Sequence, residues 1–181
     1  MEKTADRGMT KTSQRTRMIV MTAAFAALAC VATMVVKVPS PTNGYMNLGD
    51  TVVLLSGYLL GPAWGAVAGS IGPALADVLL GSAIYAPATL VIKAGMAVLA
   101  AVCYQAFGRR PLGLVVCGLV GEIPMVLGYW LYDALLMGSI TGAAVGIPSN
   151  LVQAAFGVAA STLLAAALRR SAYLRREFPR M

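Results

Sequence analysis

The sequence predicts an all-α fold, an integral membrane bundle of six transmembrane helices with cytoplasmic N- and C-termini. The first reason is composition: 59% of the 181 residues are hydrophobic and only 12% are charged, whereas soluble domains carry about 25% charged residues. The second is that glycine and proline divide the chain into six apolar segments, and a crossing helix needs about 20 residues. The third is that the basic residues concentrate in the two tails and one short loop, which is typical of a membrane topology signal.

The first predicted span follows a polar, basic tail. An apolar stretch runs from Met18 to Val36. A cleaved signal peptide is the competing interpretation, but its apolar region is usually only about 7–15 residues long. We therefore expect a retained span. Pro39 and Pro41 end it, because proline interrupts a helix, and residues 40–48 are predicted as a loop.

The remaining spans are bounded by similar signals. The second ends at Gly61 and Pro62 and is too short to cross a bilayer straight, so it is expected to be partly re-entrant or buried among the others. Pro87 stands at the start of the fourth, where a helix tolerates proline. The spans are predicted at 18–36, 49–60, 63–80, 87–107, 112–137 and 147–168. The domain organisation is a tail at 1–17, the substrate-binding bundle at 18–168 and a tail at 169–181.

The distribution of positive charge predicts the orientation. With a cytoplasmic N-terminus, six crossings place both tails, the Gly61 turn and the connection at Arg109 and Arg110 on one side. The three opposite loops contain no Lys or Arg; these are residues 40–48, 81–86 and 138–146. Because cytoplasmic loops carry the excess of basic residues, we predict a multi-pass cell-membrane protein with its N-terminus inside.

Polar residues inside the predicted spans are the strongest functional signal, since ionisable groups in a bilayer are costly and usually functional. They lie in or near the outer half: Lys37, Asp50, Asp77, Lys93, Glu122 and Asp133. The same half collects Tyr45, Asn47, Tyr85, Thr89, Tyr129, Trp130, Tyr132, Asn150 and Gln153. Aromatic faces with a few donors and acceptors suit a planar, polar small molecule. The inner half is mainly Ala, Val, Leu and Gly, so we predict an outward-opening pocket without a polar pathway through the protein.

Ion pairing is one structural alternative for the charged residues. Such pairs could only hold helices together; the candidates are Asp77 with Lys93 and Asp133 with Lys37. Glu122 is followed by Pro124, and a carboxylate beside a proline kink is more typical of a site than of simple packing.

The uncharged polar residues also have structural alternatives. Tyr45 and Tyr132 could belong to an aromatic belt at the membrane interface. Asn150 and Gln153 are three residues apart on one helix face, so both can point into one cavity. Hydrogen bonding between helices is the alternative for this pair.

Small residues on the first span suggest a docking face. Ala23 and Ala27 are four residues apart, and Ala26 and Cys30 form a neighbouring stripe. Small residues at this spacing let another helix approach closely. The chain has no histidine and no CxxC spacing, so no metal, cofactor or disulfide is predicted. Nucleic-acid binding is not predicted either, since the basic residues do not form a phosphate-binding face.

With these features, the chain resembles the substrate-binding S components of energy-coupling factor (ECF) transporters, which import vitamins. The similarity covers essentially the whole chain and is greatest to the riboflavin-type branch, which includes pyridoxine and hydroxymethylpyrimidine binders. It rests on six spans in a short chain, the alanine stripe, and four segments. These are NLGD (47–50) before the Gly-Pro turn, GSIGPALADVLLG with Asp77, PATLVIKAG with Lys93, and IPSNLVQAAFG with Asn150 and Gln153.

The resemblance implies a binding subunit and not an enzyme. Such a subunit binds its vitamin from outside with high affinity, associates with a membrane T component and two ATP-binding subunits, and topples in the bilayer to release the ligand inside. Ala23 and Ala27 would dock the T component. Pyridoxine or hydroxymethylpyrimidine is favoured narrowly, and riboflavin, which needs more room, is not excluded. The predicted substrate-binding residues are Asn47, Asp50, Asp77, Tyr85, Lys93, Glu122, Tyr129, Trp130, Asp133, Asn150 and Gln153.

Three other classes stay open on the sequence. A self-contained secondary transporter for a small polar molecule would need an inward pathway and usually related halves, and no such repeat is visible. An intramembrane enzyme would need an activated nucleophile, but the serines have no histidine beside them and a pairing with Lys93 lacks support. A purely structural subunit would not be stabilised by any vitamin.

Overall fold

The computed structural model describes residues 11–40, 45–107 and 111–171, and within them the chain forms a helical bundle. Six principal helices and one single-turn helix follow one another. They are α1 (Lys11–Val35), α2 (Gly49–Leu60), α3 (Pro62–Leu79), α4 (Ala86–Phe107), α5 (Pro111–Met137), α6 (Ile140–Ala143) and α7 (Ile147–Leu168). Single 3₁₀ turns at Ala83–Tyr85 and Ala144–Gly146 precede α4 and α7. The predicted all-α membrane bundle is confirmed.

The helix bounds agree closely with the predicted spans, with two differences. Helix α1 begins at Lys11 rather than at Met18, so its first turns are the polar end of the predicted tail. The predicted loop 40–48 contributes part of a small antiparallel hairpin, in which β1 (Val38–Pro39) pairs with β2 (Tyr45–Met46). Two-residue strands carry too little alternation for a sequence pattern to reveal them.

Several parts of the sequence predictions lie outside the described residues. These are most of the N-terminal tail (1–10), the segment 41–44, the connection 108–110 with Arg109 and Arg110, and the C-terminal tail from 172 onward. The orientation inferred from the basic residues therefore stays a prediction.

The short helix α2 is the centre of the bundle. All 12 of its residues are buried, because α1, α3, α4 and α7 pack around it. A helix of this length spans about 18 Å, less than the roughly 30 Å hydrocarbon core of a bilayer. Four segments of the described chain are long and apolar enough to cross a membrane. They are Lys11–Val35, Ala83–Phe107, Leu112–Met137 and Ile140–Leu168. The expectation that the second span is buried among its neighbours is confirmed.

Glycines let the central helices approach one another closely. A Cβ added at Gly57 of α2 would lie 2.6 Å from the carbonyl oxygen of Ala97 in α4. One added at Gly72 of α3 would lie 2.9 Å from the Cβ of Ala29 in α1. Both contacts involve helix surfaces that a larger residue would force apart. Gly61 turns the chain between α2 and α3 with a φ of 82°, a value that favours glycine.

The two ends of the bundle differ in chemistry. We call the end that holds the hairpin and the starts of α2, α4 and α7 the hairpin end. Toward the opposite end, the core is mainly apolar and contains no charged side chain among its described buried residues. It includes buried hydroxyls and a stacked pair, Tyr58 and Tyr104, whose ring centroids are 4.9 Å apart. Arg169 Nη2 donates a hydrogen bond to the Tyr104 hydroxyl at 2.7 Å. In the described chain no Asp or Glu lies between Glu122 and this end, consistent with the predicted absence of an acidic relay.

Candidate ligand-binding site

A cavity opens at the hairpin end of the bundle. Its volume is about 420 Å³ including the open mouth. Polar and aromatic side chains from the hairpin, α3, α4, α5, α7 and the adjoining turns form its wall. They are Ser40, Tyr45, Asn47, Asp77, Tyr85, Thr89, Tyr129, Asp133, Asn150 and Gln153.

Asp77 organises one side of the cavity. It lies near the C-terminal end of α3, and each of its carboxylate oxygens accepts a short hydrogen bond. The Tyr45 hydroxyl donates to Oδ1 at 2.5 Å, and the Thr89 hydroxyl donates to Oδ2 at 2.5 Å. The Tyr129 hydroxyl lies 2.8 Å from the Thr89 oxygen. These contacts join the hairpin, α3, α4 and α5 around one carboxylate, and distances this short are typical of a hydroxyl donating to an ionised acid.

Asp133, Tyr85 and Tyr129 form the adjoining wall, and Tyr132 packs behind it. The Tyr85 hydroxyl donates to Asp133 Oδ1 at 2.7 Å. The ring of Tyr85 lies 6.4 Å from that of Tyr129 and meets that of Tyr132 edge-on at 5.6 Å. Aromatic pairs at such separations stabilise one another by about 0.5–1.5 kcal/mol beyond their buried area. The wall therefore combines a carboxylate with preorganised ring surfaces.

A buried ion pair lies directly beneath the cavity. Lys93 of α4 donates to Oδ1 of Asp50 in the first turn of α2, and the two side chains are 2% and 1% exposed. Gln153 Nε2 donates to the other Asp50 oxygen at 2.6 Å. The side-chain oxygen of Gln153, Oε1, in turn accepts a hydrogen bond from the backbone N–H of Asn47 at 2.8 Å. This chain of contacts fixes the floor of the cavity to the hairpin.

Glu122 lies deeper, on α5. It is 3% exposed, and neither carboxylate oxygen has a hydrogen-bond partner among the described residues. It faces α7 at Gly157, where an added Cβ would lie 2.6 Å from Oε1 and 3.0 Å from the Cβ of Asp50. Glu122 is therefore below the ion pair and does not contribute to the cavity wall.

The structure brings most of the predicted site residues together. Those on the wall are Asn47, Asp77, Tyr85, Tyr129, Asp133, Asn150 and Gln153. Asp50 and Lys93 form the layer beneath, and Glu122 lies below them. Trp130 is not on the wall; its indole N–H donates to the carbonyl oxygen of Ile140 at 3.2 Å. Ser40, Tyr45 and Thr89 also line the wall but are absent from the predicted substrate-binding residues. The sequence placed Tyr45 and Thr89 in the polar outer half without assigning them to the site, and a serine between two prolines carries no signal for ligand binding.

The ion pairs considered from the sequence do not form as proposed. Lys93 pairs with Asp50 and not with Asp77. Lys37 lies over the ring of Tyr45, 4.8 Å from its centroid, and Asp133 accepts from a tyrosine. A sequence pattern gives neither the rotation of each helix nor the distance between helices, so it could not choose among partners. Tyr132 lies off the cavity wall and donates to the carbonyl oxygen of Ile84 at 2.5 Å.

The two stripes of small residues on α1 face different surroundings. Ala26 and Cys30 lie toward α3, where a Cβ added at Gly72 would be 3.0 Å from the Cys30 backbone nitrogen. Ala23 and Ala27 are exposed. Only this second stripe leaves a face of small residues on the bundle surface.

A helical membrane bundle with one polar, aromatic cavity near the ends of its helices defines a class of protein: a membrane-embedded binder of a small molecule. The family model described as "ECF-type riboflavin transporter, S component" matches residues 13–170. The chain belongs to this family and is the membrane-embedded, vitamin-binding subunit of an ECF transporter, not an enzyme. S components of this kind work with an energising module.

The chain is also similar to individual proteins and solved structures. A protein from Pyrococcus woesei, described as "Uncharacterized protein in gap 3'region", is 40% identical over 130 residues, which are 71% of this chain and 85% of that protein. The S component of a bacterial ECF transporter is similar in structure, with a TM-score of 0.65, 20% identity and coverage of 86% of this chain and 97% of that one. The S component for biotin from an ECF-type ABC transporter gives a TM-score of 0.61 at 17% identity, covering 88% and 95%. These two similarities concern the fold.

Proposed function

We propose that this S component captures a single-ring, hydroxylated heteroaromatic vitamin or vitamin precursor, with pyridoxine or hydroxymethylpyrimidine favoured over riboflavin. The observation that carries the proposal is the cavity at the hairpin end. It combines tyrosine rings, two carboxylates and amide side chains in about 420 Å³, part of which is its open mouth. Because the open mouth accounts for part of this volume, the enclosed space is smaller, which favours one ring and its substituents over a fused three-ring system with a long side chain.

The amide side chains supply orientation. Asn150 and Gln153 lie on one face of α7 and both line the cavity. Gln153 is already committed to Asp50 and to the Asn47 backbone. Asn150 has no hydrogen-bond partner among the described residues, so its amide is the group best placed to bind a ring nitrogen or hydroxymethyl group. An amide offers both donors and acceptors, which suits either kind of ligand atom.

The proposed setting is a cell membrane, with the N-terminus cytoplasmic and the cavity open to the outside. The basic residues of the sequence support this orientation. The proposed partners are a T component and two ATP-binding subunits, with the exposed stripe at Ala23 and Ala27 as the docking face. The mainly apolar core beyond Glu122 supports movement of the whole subunit rather than passage of the ligand through it.

Ligand identity can be tested directly on the purified protein. Native mass spectrometry should detect a co-purified small molecule whose mass identifies the vitamin. Calorimetry and thermal unfolding with pyridoxine, hydroxymethylpyrimidine and riboflavin then give the order of affinity, because a ligand that binds only the folded state raises its stability. Tightest binding of riboflavin would overturn the substrate preference, and stabilisation by no vitamin would overturn the proposed binding role.

A matched pair of amide variants tests the location of the site. Asn150→Ala should weaken binding by about 10- to 100-fold, since a ligand group left without its hydrogen-bond partner in the site costs about 1–3 kcal/mol. Gln105→Ala, on the exposed surface of α4, should leave affinity unchanged. Equal affinity of both variants and the unaltered protein would place the ligand elsewhere. Vitamin uptake by the chain alone in proteoliposomes would favour a secondary transporter instead.

A further inference from the structure

The hydroxyl protons around the cavity are already committed to the protein. A hydroxyl carries one proton, and Tyr45 and Thr89 each donate theirs to Asp77. Because the Thr89 proton is used, the 2.8 Å contact between Thr89 and Tyr129 must be a bond donated by Tyr129. Tyr85 donates to Asp133 in the same way.

These groups therefore offer a ligand hydrogen-bond acceptors and no free hydroxyl donors. The oxygens of Tyr45, Tyr85 and Tyr129 retain acceptor capacity, as do the carboxylates of Asp77 and Asp133, since an ionised carboxylate has about four acceptor sites and no donor. The amides of Asn47 and Asn150 are the main source of donors on the described wall. The side of the cavity formed by α3, α4 and α5 is an acceptor surface.

The charged side chains of the described wall are negative. Two carboxylates line it, and no lysine or arginine is among its residues. The ammonium of Lys93 is bonded to Asp50 beneath the wall, 5.4 Å from the centroid of the Tyr129 ring. Lys37 is exposed and lies over Tyr45. Neither ammonium lines the cavity; both lie at its periphery, where they interact electrostatically with Asp77.

We propose that the cavity selects a ligand that supplies the hydrogen-bond donors. This ligand is an unphosphorylated, uncarboxylated, neutral or cationic molecule with at least two donors directed at Asp77 and Asp133. This inference rests on the proposed function and narrows it to a chemical class. Hydroxymethyl and exocyclic amino groups meet the requirement, and phosphate esters do not. A like charge beside a desolvated carboxylate is strongly unfavourable, and a site built for a donor rejects analogues that lack it.

Matched pairs of ligands test the inference whichever vitamin binds. Affinity is measured by calorimetry for pyridoxine and its phosphate, hydroxymethylpyrimidine and its phosphate, and riboflavin and its phosphate, and for pyridoxine against pyridoxic acid. The unphosphorylated member of the pair that binds should be preferred by at least about 100-fold. Equal affinity within one pair would overturn the inference while leaving the proposed function intact. Failure of every compound to bind would overturn the proposed function and this inference with it.

Two variants test the cause of the selection. Asp133→Asn removes one charge but keeps the shape and an acceptor for Tyr85, so the preference against the phosphate should fall about tenfold. Asp77→Asn should act in the same direction, and it serves as the second measurement if Asp133→Asn does not fold. Tyr132→Phe, off the cavity wall, is the control and should leave the preference unchanged. A preference that survives both aspartate substitutions would show that the carboxylates do not set it.

Discussion

Replacement of Lys93 by methionine should strongly destabilise the protein. The lysine and Asp50 are 2% and 1% exposed at their side chains, so solvent screens neither charge. Methionine keeps most of the apolar stem of lysine but leaves the Asp50 carboxylate buried with Gln153 as its remaining hydrogen-bond donor in the described structure. Breaking a buried ion pair by removing one partner typically costs about 3–5 kcal/mol.

This magnitude corresponds to a measurable shift in thermal unfolding. For a chain of about 150–250 residues, 1 kcal/mol lowers the melting temperature by roughly 2–4 °C, so the substitution should lower it by about 6–20 °C. The double variant Lys93→Met with Asp50→Asn has no uncompensated charge. It should recover most of the loss, because replacing a buried pair as a whole is often nearly neutral.

Thermal unfolding of the ligand-free protein in detergent provides the assay. Lys37→Met is the matched control: that lysine is exposed, and its position over an aromatic ring is worth only about 0.5–1 kcal/mol. The reasoning fails if Lys93→Met melts no earlier than this control. It also fails if the double variant is as unstable as the single one, since the loss would then come from packing and not from charge.

Two further outcomes follow from local geometry. Gly157→Ala should destabilise by about 1–3 kcal/mol. Its Cβ would lie 3.0 Å from the Cβ of Asp50, which Lys93 and Gln153 hold in place, and 2.6 Å from Glu122 Oε1. Gly95→Ala, whose nearest neighbour would be 3.7 Å away, should be neutral or slightly stabilising in the same chemical-unfolding series, and equal effects would contradict this account. Burial and the hydrogen bond to Asp77 raise the pKa of Tyr45 above its ordinary value of about 10. The folded state therefore keeps a proton that the unfolded state loses, and this part of the stability is complete below about pH 10 and declines as pH rises further. Tyr45→Phe should flatten that alkaline decline, and an unchanged pH profile of unfolding would refute the assignment.

The sequence was sufficient for features that depend on one segment at a time. Helix ends follow local punctuation, so α2 ends at Leu60 before Gly61 and Pro62, as predicted. Counting the crossings along the sequence predicts the end of the bundle at which polar residues gather. Most residues of the cavity wall lie at that end. The burial of α2 was also foreseeable, because a short helix that is apolar on all sides has to be surrounded by protein.

Contacts between segments could not be predicted. Whether Lys93 pairs with Asp50 or with Asp77 depends on how far α4 is rotated and how closely it approaches α2. That approach is set by Gly57, where a Cβ would meet the Ala97 carbonyl oxygen at 2.6 Å. Trp130 illustrates the same limit, since it occupies the correct depth but faces α6 rather than the cavity. Depth in the bilayer can be read from a sequence, whereas rotation about a helix axis requires the packed neighbours.

These contacts change the role of Lys93 in the site. Its ammonium does not line the cavity, but it holds one oxygen of Asp50, and the other oxygen holds Gln153. Gln153 is on the wall and also accepts the backbone N–H of Asn47 in the segment that leads from the hairpin into α2. The lysine thus supports two wall residues through one carboxylate, as a positioning residue. Asp50 lies in the first turn of the central helix α2. The carboxylate that orients the wall residues is therefore also a buried negative charge that Lys93 has to compensate.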